Sequence, residues 1–144
     1  MAWVAAQTVL MAGVVVSWFF PPLVKGVVPQ VVGGVLLAAG AVLLVTARVT
    51  MGRSFTVRPR PRAEGSLVTG GPFRIVRHPT YLGALLVLAG GSLFHSWTGL
   101  ALTGLLAVLW AGKARVEERY LSARFPEYAE YRERDRYRIV PFVY

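Results

Sequence analysis

The sequence predicts an all-α integral membrane bundle of about four transmembrane helices in two hairpins, followed by a helical tail on the cytoplasmic side. Three observations predict it. Residues 3–20 and 27–47 carry no charged side chain, and no Lys, Arg, Asp or Glu occurs from residue 79 to residue 112. Hydrophobic residues make up 55% of the 144 positions and charged ones 16%, a balance that excludes disorder. The charges are also unevenly placed. Residues 1–50 hold only Lys25 and Arg48, while the other 14 basic residues and all 7 acidic ones follow.

Each element follows from local composition. The first apolar run ends in Trp18, Phe19 and Phe20 before Pro21-Pro22. A secretory signal wants a basic start and a small-residue cleavage site. The MAWVAA start and the aromatic end offer neither, so the run reads as a retained span with interfacial aromatics. The second run, 27–47, meets the roughly 20 helical residues that cross a hydrocarbon core of about 30 Å. A short link bearing Pro21, Pro22 and Gly26 then makes the first two helices an antiparallel hairpin.

From Arg48 to Arg77 the composition changes: seven Arg stand against one acid, Glu64. Arg58-Pro59-Arg60-Pro61-Arg62 is expected to be extended, because each residue before a Pro is steered out of the helical region. As one straight helix, residues 79–112 would reach about 51 Å, far beyond a bilayer. Gly90-Gly91-Ser92 and the stretch from His95 to Gly99 punctuate the run, so two shorter, tilted helices are expected at roughly 80–94 and 98–113. Beyond Ala114 the chain turns polar and aromatic. It reads as a helix leaving the bilayer, broken near Phe125-Pro126, then a second short helix and an apolar end at Pro141-Phe142.

The positive-inside rule puts the Arg-rich segment in the cytoplasm. With four spans both termini lie there too, and Lys25 and His95 on the far side. Residues 1–50 form one unit, the N-terminal hairpin, and residues 51–144 a second. No internal repeat and no G-x-x-x-G packing pair is present.

Several function classes fall away. A net charge of +9 often marks a nucleic-acid partner. Here the basic groups are interleaved with apolar spans, so membrane lipids are the expected partner and nucleic acid is not. The absence of Cys removes a thiol nucleophile and Cys-ligated zinc. There is no G-x-G-x-x-G after a strand, no P-loop and no G-x-S-x-G. No metal site is expected, since the two His lie 17 apart on opposite membrane faces. The spans hold no mid-membrane ionisable group of the kind an ion path requires.

Three polar features gather at the cytoplasmic face. Leu67-Val68-Thr69-Gly70-Gly71-Pro72-Phe73 is a tight turn whose glycines let backbone N–H groups approach a ligand; an ordinary interhelical turn has the same composition. Arg74-Ile75-Val76-Arg77-His78-Pro79-Thr80-Tyr81 places Pro79 in the first turn of a helix and His78 at its cap. Free N–H groups there could receive an anion, and snorkelling Arg with an interfacial Tyr is the alternative. Lys113 and Glu117 share a helical face four residues apart, as a solvated ion pair or as a cation and carboxylate for ligands.

Read in order, these residues resemble a known family. Gly52-Arg53-Ser54-Phe55, the turn from Leu67 to Phe73, and Arg77-His78-Pro79-Thr80-Tyr81-Leu82-Gly83 follow its pattern. So do Lys113-x-x-x-Glu117-Glu118-x-x-Leu121, Phe125-Pro126-Glu127-Tyr128-x-x-Tyr131 and Val140-Pro141-Phe142. The pattern resembles the isoprenylcysteine carboxyl methyltransferases, within the wider group that includes phospholipid N-methyltransferases, and spans residues 52–144.

The resemblance implies an integral membrane enzyme that transfers a methyl group from S-adenosyl-L-methionine to a lipophilic acceptor. Residues 51–144 would then be its core. By position, the resemblance puts cofactor contacts at Gly65, Ser66, Leu67, Val68, Phe73, His78, Pro79, Thr80, Tyr81 and Glu117. Phe73 stands where the family usually has Tyr. The family's substrate-side Arg is Lys113 here, a weaker bidentate ligand for a carboxylate, so Arg115 shares or replaces its role. An amine or phenol acceptor would need a base, for which Glu118 is the candidate. The alternatives left open are an amine N-methyltransferase, a sterol-reductase-like enzyme, and a non-enzymatic scaffold. The reductase would use NADPH, with its 2′-phosphate near Arg58, Arg60 and Arg62.

Overall fold

The protein is described by a computed structural model covering residues 2–20, 24–56, 66–134 and 137–140. The Pro21-Pro22 link, the Arg/Pro run at 58–62, Gly65 and Pro141-Phe142 lie outside the described residues. Within them every regular element is helical: α1 (Ala2–Ser17), α2 (Val27–Met51), α3 (Pro79–His95), α4 (Trp97–Arg124) and α5 (Tyr128–Arg134), with 3₁₀ turns at Gly52–Ser54 and Gly71–Arg74.

Two stretches are long and apolar enough to cross a bilayer, Val27–Ser54 and Trp97–Arg124. The others, α1 with 16 residues and α3 with 17, reach about 24–26 Å, short of a hydrocarbon core of about 30 Å. The outward valines of α2, among them Val28, Val35, Val42 and Val49, are 63–75% exposed. A soluble surface would bury such a row; lipid solvates it.

Helix boundaries follow local chemistry. Pro79 opens α3 behind His78, as expected. Between α3 and α4 only Ser96 intervenes, and its hydroxyl accepts from Gly99 N at 3.1 Å. Gly90 and Gly91 do not punctuate the helix as expected, because they serve packing instead. Nor does α4 stop near residue 113. No Gly or Pro occurs between Lys113 and Arg124, so the helix runs from apolar into charged sequence uninterrupted. It ends at Phe125, which precedes Pro126.

The packing corrects one expectation. α1 and α2 scarcely meet; α1 packs on α4 and α2 on α3. The reason is a glycine seam. A Cβ on Gly33 would lie 2.8 Å from Gly90 O, and one on Gly40 2.6 Å from Gly83 O. These pairs run in opposite order along the two helices, as an antiparallel contact requires, and their seven-residue spacing repeats two turns apart. In a bilayer, close backbone approach of this kind is a main source of helix association. α1 is matched to α4 in a similar way, with Gly13 facing Leu102 and Gly112 facing Trp3. Trp18 lies over Gly91 and donates through Nε1 to Ser92 Oγ at 3.1 Å.

Two apolar clusters result. One, within the bundle, joins Val14, Leu85, Leu88, Leu106 and Trp110, and takes in Ile139 from the C-terminal segment. The other joins Ala47, Phe73, Tyr128 and Tyr131. It fastens α5 over the ends of α2 and α4, with Tyr131 Oη donating to Phe73 O at 2.7 Å.

Candidate active site

The start of α3 is held from two sides. The C-terminal segment lies along residues 77 and 78, where Arg77 N donates to Tyr137 O at 3.0 Å and His78 N to Arg138 O at 2.9 Å. Of the N–H groups at this helix start, His78 N is therefore spent on the strap, while Tyr81 N turns back to His78 O at 3.1 Å. From α4, Glu118 accepts from Arg77 Nε at 3.0 Å and from Arg138 Nε at 3.1 Å, with His78 Nε2 at 3.4 Å. Arg77, His78 and Glu118 are all buried.

One residue earlier on α4, Glu117 accepts from Tyr81 Oη at 2.8 Å. The Tyr81 ring stacks with two others, His78 at 5.3 Å between centroids and Trp110 at 5.1 Å. Lys113 Nζ sits 5.2 Å from the Tyr81 centroid, where the ring's negative face favours a cation.

Tyr81 divides two cavities. On one side is a narrow chamber, lined on its polar side by Ser54, Ser66, Arg77, His78 and Glu117, and on its aromatic side by Phe73, Phe125, Tyr128 and Tyr131. On the other is an apolar groove between α1, α2, α3 and α4, lined by residues including Met11, Leu44, Val45, Ala84 and Trp110, with Gln7, Arg48 and Lys113 as its polar groups. Phe55, Thr56, Thr80 and Tyr81 line both. The groove exists because α1 and α2 do not pack together.

The expected site residues divide accordingly. Ser66, Leu67, Val68, Phe73, His78, Thr80, Tyr81 and Glu117 line the chamber. Pro79 is buried beneath it as the first residue of α3, and Gly65 lies outside the described residues. Lys113 faces the groove rather than the chamber. Arg115 is exposed and lines neither cavity; two residues along a helix turn it about 200° from Lys113. Glu118 also lines neither, since its oxygens are occupied by Arg77 and Arg138.

Sequence reasoning missed Tyr128 and Gln7. Among the described residues the buried Tyr128 hydroxyl has no hydrogen-bond partner. Burial pushes its pKa well up, and the Glu118 charge adds to this, so at neutral pH it is a protonated donor and acceptor facing the chamber. The Tyr128/Tyr131 pair in an otherwise polar tail was the available signal. Gln7, the one amide of α1, accepts from Lys113 Nζ at 2.7 Å and Trp110 Nε1 at 3.3 Å.

The Tyr81–Glu117 bond gives a first expected result. Tyr81→Phe keeps the ring stack and removes one hydrogen bond to a carboxylate, which costs about 1.5–3 kcal/mol. It should appear as a lowered melting midpoint with unchanged helical circular dichroism.

The comparisons with known proteins bear on this arrangement. The family profile described as phospholipid methyltransferase matches residues 28–128. The chain belongs to that family. Among curated relatives of this phospholipid methyltransferase family member, a cobalt-zinc-cadmium resistance protein of Cupriavidus metallidurans is 41% identical over 78 residues, covering 51% of this chain and 35% of that protein. Protein-S-isoprenylcysteine O-methyltransferase B of Arabidopsis thaliana is 33% identical over 121 residues, covering 81% of this chain and 61% of that protein. The chain thus spans between a third and three-fifths of these relatives. In fold it is similar to the eukaryotic intramembrane Ras methyltransferase, isoprenylcysteine carboxyl methyltransferase. The TM-score is 0.71 at 24% identity, over 99% of this chain and 53% of the other.

Proposed function

We propose that this family member is a membrane methyltransferase that binds S-adenosyl-L-methionine in the chamber. Its acceptor would be a lipophilic carboxylate, of the isoprenylcysteine kind named for its relatives, lying in the groove. The observation that carries this reading is the division of charge across one wall. Glu117 lies on the chamber side of Tyr81 and Lys113 on the groove side.

The chamber suits the cofactor's chemistry. Glu117 can accept from ribose hydroxyls or an ammonium, and the unpartnered Tyr128 hydroxyl offers a further polar contact among aromatic walls. S-adenosyl-L-methionine, when bound, supplies an electrophilic methyl group on a sulfonium. What the protein adds is alignment. Lys113 would hold an acceptor carboxylate on the groove side. A carboxylate is already ionised at neutral pH and needs no base, which agrees with the engagement of Glu118 elsewhere.

The groove lies between α1 and α2 among apolar side chains, so an acceptor would arrive laterally from the bilayer. We place α1–α4 across the membrane with the chamber and both termini at the cytoplasmic face. The clustering of Arg48, Arg53, Arg74 and Arg77 at that end supports this orientation.

The test is ligand-dependent melting of the purified chain in detergent. S-adenosylhomocysteine at 100 times its dissociation constant should stabilise the protein by about 2.7 kcal/mol. Glu117→Ala should weaken that binding at least about tenfold, the loss of a charged hydrogen-bond acceptor. Stabilisation by NADPH instead would replace this reading with a reductase, and stabilisation by neither would leave a scaffold.

A further inference from the structure

We propose that Gln7 of α1 binds the acceptor headgroup together with Lys113, the pair forming a two-pronged donor for a carboxylate. This rests on the groove being the acceptor site. Lys113 stands where the family resemblance leads one to expect Arg. An ammonium is a point charge, whereas a guanidinium presents two parallel N–H donors to the two oxygens of a carboxylate. Lys113 alone supplies the charge without the fork.

Gln7 supplies what is missing. Its neighbours Lys113 Nζ and Trp110 Nε1 can only donate, so the amide oxygen must face both of them, as its 2.7 and 3.3 Å bonds show. That orientation fixes the other half of the amide. The Gln7 NH₂ is directed away from these donors and has no partner among the described residues, in a side chain that lines the groove. An amide N–H and an ammonium, tied together by a short hydrogen bond, present two adjacent donors to one ligand.

The groove's remaining polar groups agree. Arg48 adds a second cation on α2, Thr56 and Thr80 add hydroxyls, and among the described residues no Asp or Glu lines it. An amine head would meet two like charges, with no carboxylate among the described groove-lining residues to pair with it. A carboxylate head would gain charge-assisted hydrogen bonds, with its tail over Met11, Leu44 and Val45. The N-terminal helix is therefore part of the acceptor site and not only an anchor.

The test uses the full chain in detergent micelles with two probes, N-acetyl-S-farnesylcysteine and its primary carboxamide, which share a tail and differ in the head, a charged carboxylate against a neutral amide. Binding of each probe and of S-adenosylhomocysteine is measured for wild type, Gln7→Leu and Gln7→Glu. The wild type should bind the acid more tightly than the amide. Gln7→Leu should weaken the acid about tenfold. Gln7→Glu, which keeps an acceptor for Lys113 but sets a negative charge in place of the NH₂, should weaken it further. The amide, which lacks the charge and one acceptor oxygen, should lose less than the acid in both variants, and S-adenosylhomocysteine affinity should be unchanged. The proposal is overturned if both variants bind the acid as wild type does, or if the wild type does not prefer the acid. It is equally overturned if all three ligands weaken together, the mark of a Gln7 that only packs α1 onto α4. Failure of the wild type to bind S-adenosylhomocysteine, with acid binding still dependent on Gln7, would instead remove the methyltransferase reading and leave this one standing.

Discussion

Glu118→Ala should be among the most damaging single substitutions in this protein, costing about 3–5 kcal/mol and lowering the melting midpoint by on the order of 10 °C. Glu118 is 6% exposed and Arg77 8%. Its carboxylate receives Arg77 Nε at 3.0 Å and Arg138 Nη2 at 3.1 Å. Removing it leaves two guanidinium groups facing one another in a low-dielectric pocket, one of them nearly sealed from water. The stabilisation lost is thus mainly that of buried cations deprived of the carboxylate they share. Two further variants separate this account from simple loss of volume. Glu118→Gln keeps the shape and an acceptor oxygen and should recover only part of the stability. Glu118→Met combined with Arg138→Met should lose less than the two single changes together, because the second removes a charge the first has stranded. Functional loss should follow from position. Arg138 belongs to the strap whose carbonyls hold Arg77 N and His78 N, so freeing it loosens the start of α3, and His78, Thr80 and Tyr81 with it.

What the sequence made legible was local. The cap at His78-Pro79 and the break at Phe125-Pro126 each depend on neighbours within a few residues, and each is present. The chamber lining followed largely from the family pattern, which supplies positions that spacing alone could not. What stayed hidden was set by distant partners. Gln7 reads as a lone polar residue in an apolar run until Lys113, 106 residues away, is seen against it. Glu118 had the residue type of a base, and only the meeting of Arg77 with the C-terminal strap makes it an ion-pair centre. The helix pairing also misled, for a physical reason. A short link argues for adjacent packing, but α2 carries its glycines at positions 33 and 40, and α3 carries the matching set at 83 and 90. A search for four-residue spacing passes over a seven-residue one. The link keeps α1 and α2 neighbours in sequence, while the seam draws α2 to α3 and leaves the groove between.

That seam leads to the second large effect expected. Gly40→Val together with Gly90→Val should cost about 3 kcal/mol or more, since each overpacks a close contact at about 1–3 kcal/mol. The added atoms have nowhere to go. A Cβ on Gly40 would lie 2.6 Å from Gly83 O and 2.8 Å from Val87 N, and one on Gly90 2.6 Å from Gly33 O and 2.7 Å from Leu37 N. Those neighbours are backbone, so relief requires α2 and α3 to separate. Gly104→Ala is the control. A Cβ there meets nothing within 4 Å, so the change should stabilise α4 by about 0.5–1 kcal/mol through helix propensity alone. Melting midpoints in one detergent would read both variants, and a double variant as stable as wild type would remove the seam as the organising contact. Separation would also reach the site. α2 carries Leu44, Val45 and Arg48 of the groove and Met51 of the chamber, while α3 carries Thr80 and Tyr81 of the wall between them. Loss of ligand affinity should therefore accompany loss of stability in the seam variants but not in Gly104→Ala, because one helix contact sets the width of both cavities.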